Sequence, residues 1–346
     1  MRNTRFSSNR QALAFLSEIA EDIVYLKPRM RMNNRLEYEP YEYDRGIYLV
    51  DVANIKGLVE AGRRTEEDLL VSSFWALLIG LLRDANPGDV VGIGGGSYTL
   101  RATGDVNYGS AYLVYGTGTA SEAFTDNALK SYSGSITTSI TMAYLSDRTR
   151  VTLSGIVPAT AYELGIYQTL YDAGGGANTT MLARKIGSWS ANQAVSYYID
   201  FFSPWVKQVG DLIYGILRNA DVNTQRIDGT TITIRTSAVV NPGSAYLVIS
   251  PTPVSWSPSL YRVPDAATPS NYYTDILTSR YIRATIIHGL IAPSSDTQIN
   301  TLGLYQSVYD STGATHTVCW LVLPLSSPIT LYAARNNLIV LRILAM

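Results

Sequence analysis

Few side chains in this 346-residue sequence could do chemistry, and their spacing argues against most of it. There are two histidines, His288 and His316, and one cysteine, Cys319. A Cys/His metal site needs several ligands at short intervals, and these residues do not supply them. Cys319 lies between Val318 and Trp320, the setting of a small core side chain and not of a thiolate nucleophile. Both histidines fall in strand-like stretches and read as structural. A glycosidase needs two carboxylates flanking a cleft; Glu163 and Asp200 are candidates, but nothing in the sequence pairs them. Asp172 and Asp310 each follow a tyrosine, and each has a glycine three residues on, Gly175 and Gly313. That spacing marks a type I turn, with the aspartate as its cap. Gly92-Ile93-Gly94-Gly95-Gly96 lacks the lysine of a phosphate loop and leads into a strand, so it reads as a flexible entry to that strand. Asn178-Thr179-Thr180 is a glycosylation sequon, relevant only in a glycosylating compartment. No catalytic, cofactor-binding or metal-binding residue is assigned, and the chain is expected to be neither an enzyme nor a cofactor carrier.

The elements that carry these residues occur twice. Gly80-Leu81-Leu82-Arg83-Asp84-Ala85 returns as Gly215-Ile216-Leu217-Arg218-Asn219-Ala220. Gly109-Ser110-Ala111-Tyr112-Leu113-Val114 returns as Gly243-Ser244-Ala245-Tyr246-Leu247-Val248. Leu164-Gly165-Ile166-Tyr167-Gln168 returns as Leu302-Gly303-Leu304-Tyr305-Gln306. The offsets are 135, 134 and 138 residues. A period of that size is one domain, so each copy can bury its own core. His316 falls opposite Asn178 and Cys319 opposite Met181, so neither belongs to a shared site.

The chain divides into residues 1–64, a basic arm with a helix and an extended segment; 65–202, a helix and first β-repeat; and 203–346, a helix and second β-repeat. In the arm, Ser8 and Gln11 make a capping box for a helix that Pro28 ends. A second helix is expected from a cap at Thr65-Glu66-Glu67-Asp68 to about Ala85. Its counterpart starts with Ser203 as N-cap and Pro204 at the first position, and its apolar stripe is Val206, Val209, Leu212, Ile213, Ile216 and Leu217. After each helix the apolar period falls to two, giving about seven short strands per copy. One of them runs unbroken from Ser135 to Leu145. The fold expected is mainly β with helices: two tandem β-sandwich, jelly-roll-like units, each preceded by an apolar helix, plus an N-terminal helical arm. A Pro/Ser/Tyr insertion, 251–273, distinguishes the second copy.

Composition narrows the partners. Charged residues are 16% of the chain, against about 25% in ordinary soluble domains, so much of the surface is uncharged or covered by other chains. Net charge is −1, which favours neither nucleic acid nor an anionic membrane. The longest apolar run, Leu69 to Leu82, is too short to span a bilayer, and no signal peptide is expected. Arg2, Arg5, Arg10, Lys27, Arg29, Arg31 and Arg35 make the arm basic, suited to tethering a neighbour or reaching a genome. The tyrosines, 25 in all, suit a face covered by another subunit or one on which a sugar stacks.

The segment from Glu163 to Lys185 (ELGIYQTLYDAGGGANTTMLARK), with its echo from Thr301 to Leu323, resembles β-sandwich modules of virion structural proteins in tailed phages and archaeal viruses. The resemblance spans roughly twenty residues per copy. Copy two departs from it, with Trp320-Leu321-Val322 where copy one has Leu182-Ala183-Arg184. It implies no catalytic residues. The expected function is a virion structural protein (capsid, turret, decoration or tail component) that assembles with copies of itself and other virion proteins. The alternative is a carbohydrate- or receptor-binding adhesin at an extracellular surface, with Trp256, Tyr261, Tyr272 and Tyr273 on its contact loop.

Overall fold

The computed structural model describes residues 3–5, 47–52 and 55–344, apart from 63, 85, 87–89, 103–104, 107–108, 237–242, 268–271, 279–283, 292 and 334–336. The expected arm helix with its capping box at Ser8 lies outside the described residues.

The protein is mainly β, with two helices among the described residues. Strand β1 (Asn3–Arg5) precedes β2 (Ile47–Val52), β3 (Ile55–Ala61) and β4 (Arg64–Leu70). Helix α1 (Ser72–Arg83) leads to β5 (Val90–Val91), β6 (Ser97–Tyr98), β7 (Tyr112–Gly116), β8 (Tyr132–Ile136), β9 (Ser139–Tyr144), β10 (Arg148–Ile156), β11 (Ala161–Tyr171), β12 (Ala177–Trp189) and β13 (Ala194–Phe202). Helix α2 (Lys207–Arg218) leads to β14 (Val222–Gln225), β15 (Thr231–Ile234), β16 (Tyr246–Ser250), β17 (Tyr272–Thr278), β18 (Ala284–Ile291), β19 (Thr297–Tyr309), β20 (Thr315–Leu331) and β21 (Asn337–Leu344).

The largest sheet has the order β8-β7-β11-β12-β4-β3-β13-β10-β9. Its two end strands, β8 and β9, are consecutive in the chain and separated only by Thr137 and Thr138, so the sheet must fold over into two layers. The Thr138 hydroxyl holds that corner: it accepts a bond from Leu113 N (2.8 Å) and donates to Ile136 O (2.7 Å). The single strand expected from Ser135 to Leu145 is therefore two strands at opposite ends of the sheet. Strands β16 to β21, joined by β1 and β2, form β16-β19-β20 and β1-β2-β21-β18-β17, antiparallel except for the parallel pair β2–β21. The arrangement belongs to the β-sandwich-like class.

Two helix starts differ from expectation. Thr65 to Asp68 lie in β4, not at a helix N-terminus. This stretch pairs along its length with β3, and its end, Leu69–Leu70, pairs with β12. Pairing with β3, continued by β12 at the strand's end, outweighs a local capping signal, since propensity yields to tertiary context. Likewise α2 begins at Lys207, beyond Pro204. Val206 N bonds Trp320 O (3.2 Å) and Val322 N bonds Pro204 O (3.0 Å), so residues 204–206 are held along β20 before the helix starts. Val71 N bonds Leu182 O (3.1 Å) at the corresponding place before α1. Neither helix has a side-chain N-cap.

Every residue of α1 from Ser73 to Leu82 is buried, as a helix that is apolar on all sides requires. In α2 the expected stripe from Val206 to Leu217 is buried, whereas Lys207, Tyr214 and Arg218 are not. One buried apolar cluster contains Trp75, Leu78 and Leu113 together with Trp205, Ile216, Leu247 and Trp320. The two sequence copies share this core, and each adds a smaller cluster of its own, around Tyr167 and Met181 in one and Tyr305 and Cys319 in the other.

Candidate functional site: the clasp between the repeats

The three repeated motifs meet at the ends of the helices, and they meet crosswise. The last carbonyls of an α-helix have no partner within it and must find one elsewhere. Ala111 N, in the first copy, bonds Leu217 O of α2 (2.6 Å), and Ala245 N, in the second, bonds Leu82 O of α1 (2.7 Å). The Ser110 hydroxyl donates to Arg218 O (2.7 Å) and the Ser244 hydroxyl to Arg83 O. Gln168 Nε2 donates to Ile216 O (2.7 Å) and Gly109 O (3.0 Å). Gln306 Nε2 donates to Leu81 O (2.8 Å) and Gly243 O (2.7 Å). Each helix then leaves through a left-handed residue, Asp84 at φ 49° or Asn219 at φ 51°, types that tolerate this conformation. Copy one thus satisfies the helix of copy two, and the reverse.

The two clasps differ at one atom. Gln306 Oε1 accepts Trp320 Nε1 (2.7 Å). Position 182 holds leucine where the second copy has Trp320, and Gln168 Oε1 is buried without a partner among the described residues.

The tyrosine beside each glutamine works within its own copy. Tyr167 OH accepts a bond from Leu129 N (2.8 Å), and Tyr305 OH from Val263 N (2.8 Å). Burial raises the pKa of both phenols, so they remain neutral acceptors. Each ring meets a second tyrosine edge-on, Tyr112 or Tyr246, with centroids 6.2 Å apart. These bonds anchor the loop after β7 in one copy and the loop after β16 in the other. The part of the segment read as an insertion around Val263 is thus hung on a tyrosine equivalent to the one that holds Leu129 in 117–131.

The turn aspartates close hairpins. Gly175 N bonds Asp172 O and Gly313 N bonds Asp310 O (2.9 Å each), with the glycines at φ +89° and +88°. Asp172 Oδ2 accepts Asn178 Nδ2 (2.9 Å) where Asp310 Oδ2 meets His316 Nε2 (2.8 Å), so the unshared histidine does the work of an asparagine. Backbone N–H groups, first that of Gly176, hold the Asp172 pKa below the usual range; for Asp310 the Thr312 hydroxyl and His316 do so. Asn178 of the sequon is engaged in this contact. The glycine cluster is also a hairpin turn, with Gly92 N bonded to Gly96 O (3.0 Å), and Arg226–Thr230 makes the same turn (2.9 Å). Cys319 is fully buried, and burial drives its thiol pKa up, away from reactivity. His288 falls in β18, whose side chains lie outside the description.

Glu163 and Asp200 are not brought together. Both are fully buried, on β11 and β13 in different layers, and each is engaged by arginine. Arg184 uses all five guanidinium donors: Nε and Nη2 on Glu163 Oε2 (3.1 and 3.0 Å), Nη1 on Asp126 Oδ2 (2.8 Å) and Ser121 O (3.1 Å), and Nη2 on Ala120 O (2.8 Å). Glu163 also accepts Gly118 N, Lys130 N and Ser131 N. The triad clamps the loop 117–131. Its counterparts at 301 and 322 are threonine and valine, and the Thr301 hydroxyl bonds Thr252 O instead (2.8 Å). Asp200 forms a bidentate pair with Arg150 (2.7 and 2.6 Å).

Asp211 gave no signal in the sequence. It lies inside α2, fully buried, and accepts the hydroxyls of Tyr144 on β9 (2.5 Å) and Thr224 on β14 (2.6 Å). Burial pushes its pKa up to about 6, partly offset by those two hydroxyls and Lys207. Among the described residues no group of three or more His, Cys, Asp or Glu could hold a metal ion, and no helix is long and apolar enough to cross a membrane. A cavity of about 450 Å³ is lined by Lys56, Asp147, Phe202, Ser203 and Trp256. Comparison with protein-family profiles, curated proteins and solved structures finds no match to the chain.

Proposed function

We propose that the protein is a non-enzymatic structural component of a virion (capsid, turret, decoration or tail) that assembles from copies of itself, with two tandem β-sandwich units as its scaffold. The observation that supports this most is how the shared polar side chains are spent. Gln168, Gln306, Tyr167, Tyr305, Asp172 and Asp310 all bond the chain's own turns, loops and helix ends. The duplicated part is scaffold. The resemblance around Glu163 to Lys185 and the low charge agree with a protein that covers its surface with neighbours. Other virion proteins are its further partners, and the basic arm contacts a neighbour or the genome. Light scattering and electron microscopy of the purified full chain test this reading. A large homo-oligomer is expected; a monomer at every concentration contradicts it.

A second reading has one observation in its favour. Trp256, on the loop after β16, lines the 450 Å³ cavity beside Lys56 and Asp147, and its buried Nε1 has no partner among the described residues. An indole face next to polar groups suits a sugar, as an adhesin requires. A glycan array compared with Trp256→Ala decides: binding lost in the variant supports the adhesin, and no binding by the parent chain removes it.

A further inference from the structure

We infer that the outer edge of β9 is a docking surface for the β9 strand of a second copy of this chain, paired antiparallel about a twofold axis. The inference rests on the self-assembly reading above and names the surface that performs it.

β9 ends the nine-stranded sheet. On one side it pairs with β10 in an unbroken register from Ser139↔Ser154 to Tyr144↔Thr149. On its other side no strand pairs with it among the described residues. An edge of this kind presents a row of free N–H and C=O groups, a template for another strand. Proteins usually blunt such edges with charge, proline, a bulge or a covering segment. Ser139-Ile140-Thr141-Met142-Ala143-Tyr144 has none of the first three. The ends of the other large sheets differ. β8 has an irregular register against β7, β17 includes Asp275, and β1 has only three residues. The outer side of β16 is bridged by Ala267, and that of β20 by Trp205.

The occupant follows from the strand's own composition. Without charge, β9 does not repel its twin, whereas like charges directly opposite destabilise a pair. Ser139, Thr141 and Ala143 are exposed on the outer face, and Ile140 and Met142 pack inward on the core. Residues directly opposite in a ladder share a face. A twofold axis at Thr141 satisfies this: Thr141 faces Thr141, Ile140 faces Met142, and Ser139 faces Ala143. The threonine pair is favourable across a ladder. The two sheets then continue into one another across the axis.

The test is sedimentation velocity of the full chain against Thr141→Lys, with Thr152→Lys as control, plus mild oxidation of Thr141→Cys. Thr152 lies opposite Thr141 on β10, so its lysine adds the same charge to the same face without touching the edge. The native cysteine, Cys319, is fully buried and does not compete. Thr141→Lys is expected to weaken association about tenfold or more while Thr152→Lys leaves it unchanged. Thr141→Cys is expected to give a crosslinked dimer. Association unchanged in Thr141→Lys, equal weakening by both lysines, or no crosslink overturns the edge pairing and leaves self-assembly standing. A parent chain that never associates overturns both.

Discussion

Gln168 and Gln306 stand 138 residues apart in sequence and do the same task in opposite directions: each closes the C-terminus of the helix that belongs to the other's repeat. Gln168 bonds Ile216 O at 2.7 Å, and Gln306 bonds Leu81 O at 2.8 Å. The repeats are therefore joined by reciprocal bonds from a side chain of one copy to a helix-end carbonyl of the other, each carbonyl also accepting from its own C-cap N–H, Asn219 N or Asp84 N.

The two glutamines differ in what their loss strands. Gln306→Ala removes one bond each from Leu81 O and Gly243 O and leaves Trp320 Nε1 unpaired, while Gln168→Ala removes bonds from carbonyls only. Each stranded buried group costs about 1–3 kcal/mol. Urea unfolding is expected to place Gln306→Ala about 1–2 kcal/mol below Gln168→Ala. An equal or reversed order refutes the assigned role of Trp320.

Asp211 makes stability depend on pH in an unusual direction. Its pKa is raised on folding, from an ordinary 3.8 to about 6. A raised group contributes stability that is complete below the unfolded value and lost as pH rises through the folded one. The protein is expected to gain stability, on the order of 2–3 kcal/mol, as pH falls from about 7 to about 4. Asp172 and Asp310, whose pKa values are lowered, lose their contributions only at lower pH still. Asp211→Asn keeps hydrogen-bonding capacity toward both hydroxyls and should flatten this window. Melting temperatures across pH measure it; a parent and variant with parallel profiles would disprove the role of Asp211.

Arg184 is a clamp whose removal leaves two buried carboxylates, Glu163 and Asp126, without the arginine they share. Arg184→Val is expected to cost about 3–5 kcal/mol and to open 117–131 to proteolysis. Copy two uses threonine and valine here, so Glu163→Thr with Arg184→Val should be milder than Arg184→Val alone. A double variant that is worse than the single would show that the pair stabilises beyond balancing its own burial.

His316 should tolerate replacement by the residue its counterpart uses. His316→Asn can donate to Asp310 as Asn178 does to Asp172, and the expected change is within about 0.5 kcal/mol. His316→Leu loses the contact and is expected to be less stable than the asparagine variant. Equal stability of the two would remove the turn bond from the account.

The repeated motifs were legible, but not what they hold. Gln306 meets Leu81 across 225 residues, and no local pattern encodes that separation. The turn aspartates could be read because their partners lie within six residues. The stripe of α2 was visible from its period. The start of α1 was not, because Thr65 to Asp68 looks like a cap until β3 and β12 claim the segment. Asp211 left no trace, since a carboxylate inside an amphipathic helix reads as solvent-facing unless its hydroxyl partners on β9 and β14 are known.

The central claim is that the shared motifs bind the repeats into one cooperative unit. Differential scanning calorimetry of the full chain tests it most directly. One transition, with calorimetric and van't Hoff enthalpies equal, and its whole displacement to lower temperature by Gln306→Ala, is the predicted result. Two separate transitions, only one of them moved by Gln306→Ala, would contradict it.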